Sequence, residues 1–233
     1  MVERAFCSWS GGKDSALALH RARQGGIVVE RLLTMMTEDG TRSRSHGLRP
    51  EVLRAQAESV GVPITLVPAS WAEYEVRFVD AVAGLRAEGL TAGVFGDIDV
   101  ARNRAWVEGV CGPLAVAVHE PLWQRPRREL LADLLALGFR AHVVAVRADV
   151  LGPGAEGRDV LGRVLDATLV DALAAAGVDP SGELGEYHTV VVAGPVLAWP
   201  LEVGLGVVVE RDGYRFVDVV LRGGRATGRR GPS

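Results

Sequence analysis

The chain has 233 residues, of which 48% are hydrophobic and 24% are charged, as in a soluble globular protein with one large domain or two small ones. Its formal net charge of −3 gives no overall attraction for nucleic acid or an anionic membrane, so any phosphate site has to be local. No apolar run spans a bilayer, no signal-peptide pattern is present, and two distant cysteines make no disulfide framework, so we expect a cytoplasmic protein without a membrane partner.

The first 118 residues alternate between strand and helix patterns. Short apolar runs predict strands, and apolar residues three or four positions apart predict helices. In chain order we expect strands at 2–9, 27–36, 63–67, 92–95 and 114–118, separated by helices at 14–24, 50–60, 71–88 and 102–111. Repeated βαβ units form a parallel sheet that binds ligands beyond the carboxyl ends of its strands.

The pattern changes after Trp123. A polar junction leads to a short helix at 129–137, a strand at 141–146, two helical stretches between 159 and 176, and two or three strands in 196–221 with turns at 204–206 and 211–213. We therefore predict an α/β protein. A Rossmann-like domain with a five-stranded parallel sheet occupies 1–123, a smaller α/β domain occupies 124–222, and 223–233 is a flexible tail.

Residues 8–15 read SWSGGKDS and contain the only lysine of the chain, Lys13. Two glycines permit backbone conformations closed to other residues and let N–H groups converge on an anion. The start of the following helix also presents free N–H groups to an anion. The ammonium group and the hydroxyls of Ser10 and Ser15 add donors, so the pattern predicts a phosphate site. It is not a Walker A loop, because Asp14 follows the lysine. A capped strand–helix turn is the alternative, but it requires neither the glycines nor the lysine.

The segment Ser10-Gly11-Gly12-Lys13-Asp14-Ser15, placed after a first strand, resembles the pyrophosphatase (PP) loop of the N-type ATP pyrophosphatases. Those enzymes include GMP synthetase, asparagine synthetase, argininosuccinate synthetase and several tRNA-modifying enzymes. The resemblance implies a HUP-type fold, binding of ATP and Mg²⁺, and cleavage of ATP between its α- and β-phosphates to give an adenylylated substrate. The loop would hold the leaving pyrophosphate.

The same resemblance implies where the rest of the nucleotide lies. Adenine is expected near the end of the second strand, at Leu33, Thr34 and Met35, and His46 follows in the next loop, where superfamily relatives meet adenine and substrate. Gly96 is also expected to contact the nucleotide, and Asp14 is expected to bind Mg²⁺.

Further motifs narrow the resemblance to one family. The segments VFGD at 94–97, ARNRAWVEGVC at 101–111 and EPLW at 120–123 look like the ATP-binding family that contains diphthine–ammonia ligase. The segment GELGEYHT at 182–189, followed by Gly194-Pro195, is similar to that family's second signature, G-E-x-G-E-[FY]-H-T. The resemblance runs from about residue 3 to residue 220. It implies that diphthine on elongation factor two, ammonia and ATP give diphthamide, AMP and pyrophosphate. No glutaminase domain is visible, so free ammonia or another amine is the implied nitrogen donor.

Two groups of acidic and histidine residues are candidates for catalysis. Glu183, Glu186 and His188 lie within six residues and can hold a metal, orient an amine or act as a general base, while a polar loop is the plain alternative. Asp97 ends the fourth strand and can bind magnesium, an amine or ammonia, or cap the following helix. With Lys13, these are the predicted catalytic residues.

Several alternatives remain open at this level. The chain fits another PP-loop adenylating enzyme, such as a tRNA modifier or a small-molecule amidotransferase, and a non-enzymatic ATP-binding module. Arg125, Arg127 and Arg128 near Trp123 suggest nucleic acid only weakly, and no nucleic-acid partner is expected. Cys7 and Cys111 are expected in the core, which disfavours sulfur transfer. A homodimer is compatible with the sequence.

Overall fold

The computed structural model describes residues 3–150 and 160–222, so the predicted flexible tail lies outside the described residues. The first half is a parallel sheet with the strand order β3-β2-β1-β4-β5. Its strands are β1 (Arg4–Ser8), β2 (Val28–Met36), β3 (Ile64–Pro68), β4 (Ala92–Val94) and β5 (Ala117–His119). The predicted five-stranded parallel sheet is therefore confirmed.

Helices connect consecutive strands and cover both faces of this sheet. They are α1 (Lys13–Gln24), α2 (Pro50–Val60), α3 (Tyr74–Ala87) and α4 (Ala101–Cys111), followed by a short 3₁₀ turn at Gly112–Leu114. Alternation along β1 places Cys7 in one apolar cluster with α1 and α2, and Phe6 in a second with α3 and α4. No helix of the described residues is long and apolar enough to cross a membrane.

The second half contains an antiparallel sheet with the strand order β7-β6-β9-β8. Its elements are α5 (Arg127–Ala136), β6 (Arg140–Arg147), α6 (Ala167–Ala175), β7 (Tyr187–Ala193), β8 (Val203–Arg211) and β9 (Tyr214–Leu221). The α/β class of this half agrees with the prediction. Helix α6 is one of the two expected helical stretches, and the beginning of the predicted region, at 159, lies outside the described residues.

Two details of the second half differ from the sequence prediction. No strand was predicted at 187–193, where β7 pairs along its length with β6. The turn predicted at 204–206 is wrong, because β8 continues through it and a shift in pairing between Leu205 and Val208 absorbs the irregularity. The hairpin turn at 211–213 is confirmed, with positive φ at Asp212 and Gly213 as in a type I′ turn.

The two sheets are held together through α1 and β7. One apolar cluster contains Leu17 of α1, Leu130 of α5 and Val190 of β7, so both halves share a core. The backbone N–H of Val191 also donates to the carbonyl of Gly11 at 2.9 Å. The second half therefore lies directly against the glycine loop. A division of the chain at residue 123 stays a prediction.

Candidate active site

The glycine loop lies where the strand order of the parallel sheet reverses. Strand β1 sits between β2 and β4, and the loop joins β1 to α1. Gly11 has φ of +81°, which favours glycine. At the end of β4, a Cβ added to Gly96 would lie 3.0 Å from the backbone carbonyl carbon of Asp14 and the backbone nitrogen of Ser15. Glycine at position 96 thus lets the end of β4 approach the start of α1.

Lys13 places a buried ammonium group beside this loop. Its side chain is 5% exposed, and Nζ lies 2.6 Å from Asp14 Oδ2 and 5.5 Å from the ring centroid of Tyr187. It lines a cavity of about 400 Å³. Among the predicted site residues, that cavity is also lined by Ser10, Asp14, His46, Glu183 and His188. The two sequence signatures, more than 160 residues apart, therefore meet at one cavity.

A second cavity adjoins the first one and contains the predicted adenine region. It is lined by Leu33, Thr34 and Met35 at the end of β2, and it shares Ser10 and His46 with the larger cavity. The Thr34 hydroxyl donates to the backbone carbonyl of Trp9, which fixes β2 against the end of β1. The arrangement can accommodate a ligand with an apolar end near β2 and an anionic end near Lys13.

Two histidines lie in contact at the wall of the larger cavity. The ring centroids of His46 and His188 are 4.6 Å apart, and His188 stacks on Tyr214 at 5.7 Å. Burial lowers the pKa of His46 well below its usual range, with smaller effects from His188 and Lys13. Burial, followed by the charge of Lys13, lowers the pKa of His188 to about 4. Both imidazoles are therefore neutral at pH 7.

Two carboxyl groups of the site, those of Glu183 and Asp97, have pKa values that are raised above their usual range. Glu183 Oε1 accepts a hydrogen bond from the backbone N–H of Ile98 at 3.1 Å. Burial, with the negative charge of Asp14 next, raises the pKa of Glu183 to about 7. Burial also raises the pKa of Asp97, against the hydrogen bond that Asn103 Nδ2 donates to it at 3.1 Å. The site thus contains a carboxyl group that exchanges its proton near neutral pH.

Besides the three glycines at 11, 12 and 96, three predicted residues with polar side chains line neither cavity. The Ser15 hydroxyl donates to the backbone carbonyl of Gly12 at 3.1 Å. Glu186 is 6% exposed, and its Oε2 accepts the backbone N–H of Leu184 at 3.0 Å, which closes its own loop. Asp97 lies behind Asn103, which lines the cavity. Direct roles for these three side chains stay predictions.

Arg127 has a structural role that the sequence did not reveal. Its guanidinium donates to Asp99 at 2.6 and 2.7 Å, and also donates to Asp179. Asp179 in turn accepts the backbone N–H of Ser181 at 3.0 Å. Arg127 therefore joins the loop after β4 to the loop that carries Glu183. Its guanidinium is thus paired with two carboxylates inside the fold.

The cysteines are buried, as expected. Burial raises the pKa of Cys7 to about 12 and that of Cys111 to about 11. Both thiols are therefore protonated at neutral pH and are poor nucleophiles. Their positions on opposite faces of the parallel sheet also separate them, because Cys7 belongs to one apolar cluster and Cys111 to the other.

A parallel sheet with a glycine-rich loop at its switch point defines a Rossmann-like α/β protein with its ligand site at the carboxyl ends of the strands. The chain belongs to the diphthamide synthase family. Residues 3–118 match the family model of the diphthamide synthase N-terminal domain, and residues 127–218 match that of the C-terminal domain.

Individual relatives cover the chain less completely. It is 30% identical to the human protein named diphthine–ammonia ligase over 120 residues, which are 50% of this chain and 43% of the human protein. The chain thus matches less than half the length of that relative. A solved structure described as a predicted subunit of tRNA methyltransferase from Methanocaldococcus jannaschii is 14% identical, with a TM-score of 0.44, over 82% of this chain and 97% of the other.

Proposed function

We propose that this protein is an ATP-dependent ligase of the diphthine–ammonia ligase type. It activates a carboxylate by adenylylation, with AMP and pyrophosphate as the final nucleotide products, and transfers ammonia to the activated carbonyl. The proposal rests chiefly on one observation: the buried ammonium of Lys13 lines the same cavity as the signature residues Glu183 and His188. Family membership supports the class of reaction, and the name of the human relative supports the substrate.

The glycine loop and Lys13 are suited to the leaving group. A Cβ added to Gly12 would lie 2.6 Å from His46 Nε2 and 3.0 Å from the backbone oxygen of Thr189, so only glycine keeps this side of the loop open. Negative charge grows on pyrophosphate as the α–β bond breaks, and a cation already in place stabilises that charge. Ser10 adds a hydroxyl donor on the same wall.

Asp14 is the residue best placed to hold Mg²⁺. No group of three metal-ligating side chains exists within residues 3–150 and 160–222. Mg²⁺ that is bound with nucleotides commonly uses one or two carboxylates together with phosphate oxygens and water, so a single carboxylate at the cavity wall fits it. Bound there, Mg²⁺ would offset phosphate charge. Asp14 is paired with Lys13 at 2.6 Å, and phosphate binding would draw the lysine away and free the carboxylate.

Glu183 is the best candidate for the base that takes a proton from the nitrogen donor. A general base works best when its pKa lies near the operating pH, and burial raises the pKa of Glu183 to about 7. His188, with a pKa of about 4, is a weaker base at neutral pH. We assign His188 and His46 to the wall that positions the activated carbonyl. Their rings are in contact there, with centroids 4.6 Å apart.

The test is product analysis with the proposed substrate. The protein is incubated with ATP, Mg²⁺, ammonium and elongation factor two bearing diphthine. AMP, pyrophosphate and the mass of the factor are then measured. We expect one AMP and one pyrophosphate for each amide formed. Release of ADP and phosphate would refute the adenylylation chemistry, and ATP binding without any turnover would favour the non-enzymatic ATP-binding module. Turnover with other carboxylates only would retain the chemistry and change the acceptor.

A further inference from the structure

The carbonyl oxygen of Gly11 is held by two hydrogen-bond donors. Gln56 Nε2 and the backbone N–H of Val191 each donate to it at 2.9 Å. In a trans peptide the C=O and N–H groups point in opposite directions, so fixing the Gly11 carbonyl also orients the N–H of Gly12. That N–H donates to Ser10 Oγ at 3.2 Å, and Ser10 lines the cavity beside Lys13. The N–H of Gly12 is thus held beside a residue that lines the cavity.

This peptide needs to be held because glycines flank it on both sides. Gly11 and Gly12 lack the Cβ atoms that restrict rotation of a peptide plane, so the Gly11–Gly12 peptide can reverse more easily than its neighbours. Reversal would replace the N–H at the cavity side with the Gly11 carbonyl oxygen. A carbonyl dipole directed there would repel an anion where the N–H attracts it. The orientation of one peptide therefore decides whether the loop favours phosphate.

Gln56 is suited to this role because its amide fits in only one orientation. The side chain is fully buried in α2; Oε1 accepts from Trp9 Nε1 at 3.0 Å, and Nε2 donates to the backbone carbonyls of Gly11 and Val191 at 2.9 and 2.7 Å. The indole can only donate and carbonyls can only accept, so a reversed amide would lose all three bonds. A Cβ at Gly11 would lie 2.6 Å from Gln56 Oε1, which fixes the close approach of the two residues.

We infer that Gln56 is a positioning residue for phosphate binding, which holds the Gly11–Gly12 peptide with its N–H toward the pyrophosphate portion of ATP. The inference rests on the proposed function, because that function assigns phosphate to the loop. Gln56 lines neither cavity beside the loop, so it can reach a ligand only through the residues that it bonds, which are Gly11, Trp9 and Val191. Loss of Gln56 is therefore expected to weaken binding of the phosphates and to leave binding of the adenosine part unchanged.

The experiment measures two dissociation constants by calorimetry, one for inorganic pyrophosphate with Mg²⁺ and one for adenosine. In the variant Gln56→Met, a side chain of similar length cannot donate to the Gly11 carbonyl. We expect the pyrophosphate Kd to rise about tenfold, the size of one lost buried hydrogen bond, and the adenosine Kd to stay within about twofold. Ser59→Ala is the matched control. Ser59 is also buried in α2 and bonds the backbone of Trp199 through its hydroxyl, away from the loop.

A second variant, Gln56→Glu, tests the inference if Gln56→Met does not fold. Gln56→Glu keeps the shape and the bond from Trp9, but directs an acceptor toward two carbonyls, and we expect the same selective loss at pH 8. Equal weakening of both ligands, or unchanged pyrophosphate binding in a folded variant, would overturn the inference. A selective loss in Ser59→Ala as well would also overturn it. If the wild-type protein binds adenosine but not pyrophosphate, its phosphate site is absent. That result would overturn the proposed function, and the inference with it.

Discussion

Replacing Lys13 with methionine tests the centre of the proposed chemistry. The ammonium is 5% exposed, so bulk water screens it less than a surface ion pair, and at an effective dielectric constant of about 20 a unit charge about 4 Å away is worth roughly 4 kcal/mol. Loss of a preplaced group that stabilises developing charge costs about 3–4 kcal/mol. We therefore expect Lys13→Met to lower kcat by about a hundredfold or more. The readout is AMP and pyrophosphate release, with thermal unfolding as the control for folding.

Arginine at the same position separates charge from shape. Lys13 Nζ lies between Asp14 and the ring of Tyr187, and a forked, planar guanidinium does not match this narrow space. We expect Lys13→Arg to remain close to Lys13→Met in rate although it keeps the charge. Near-wild-type turnover by Lys13→Arg would refute the reasoning. It would mean that any cation at the cavity wall is sufficient.

Three further predictions follow from the titratable groups. Replacing Cys7 and Cys111 with alanine should preserve AMP release per folded molecule; loss of chemistry in a folded double variant would restore a sulfur-transfer role. Glu183→Gln should lower kcat with little change in ATP affinity and remove an ionisation near pH 7, because the wild-type rate rises as the carboxylate forms. The side chain of Glu120 is 3% exposed, and its oxygens accept no hydrogen bond in the described chain, although Arg104 Nη1 lies 3.5 Å from Oε2. Burial outweighs this ion pair and raises the pKa of Glu120 to about 7. Folding therefore favours the protonated form of Glu120, and the stability of the wild-type protein decreases as the pH rises from the ordinary pKa of 4.5 to about 7. Because Gln cannot ionise, Glu120→Gln should raise Tm at pH 8 and change it little at pH 5.

The parallel sheet was predictable because each of its strands is marked by its own composition. Buried strands such as β1 and β2 are short apolar runs, and helices of amphipathic pattern separate them. Strand β7 was missed because its start, Tyr187-His188-Thr189, continues a segment rich in glycine and charge. Its strand conformation comes from pairing with β6, a partner about 45 residues earlier, which local patterns do not report.

The candidate site was predictable only in part, for a similar reason. The glycine loop and the 182–189 signature were visible as motifs, and both reach the cavity. The supports of the loop were not visible. Gln56 reads as an ordinary polar residue of an amphipathic helix, and Arg127 reads as part of a basic surface. Their roles depend on partners 45 and 52 residues away, and only the folded chain brings these partners together.

The signature on β7 has two separate tasks, and strand geometry explains how three consecutive residues perform them. Successive side chains of a strand point to opposite faces. Tyr187 and Thr189 share the face toward the loop, where the Tyr187 ring lies 5.5 Å from Lys13 Nζ and Thr189 Oγ1 accepts the backbone N–H of Lys13 at 3.0 Å. His188, on the other face, contacts the ring of His46 and stacks on Tyr214. The strand that carries the candidate acceptor wall therefore also fixes the start of α1. A displacement of β7 would disturb the proposed phosphate and acceptor regions together, so the second half belongs to the proposed nucleotide site as much as the loop itself does.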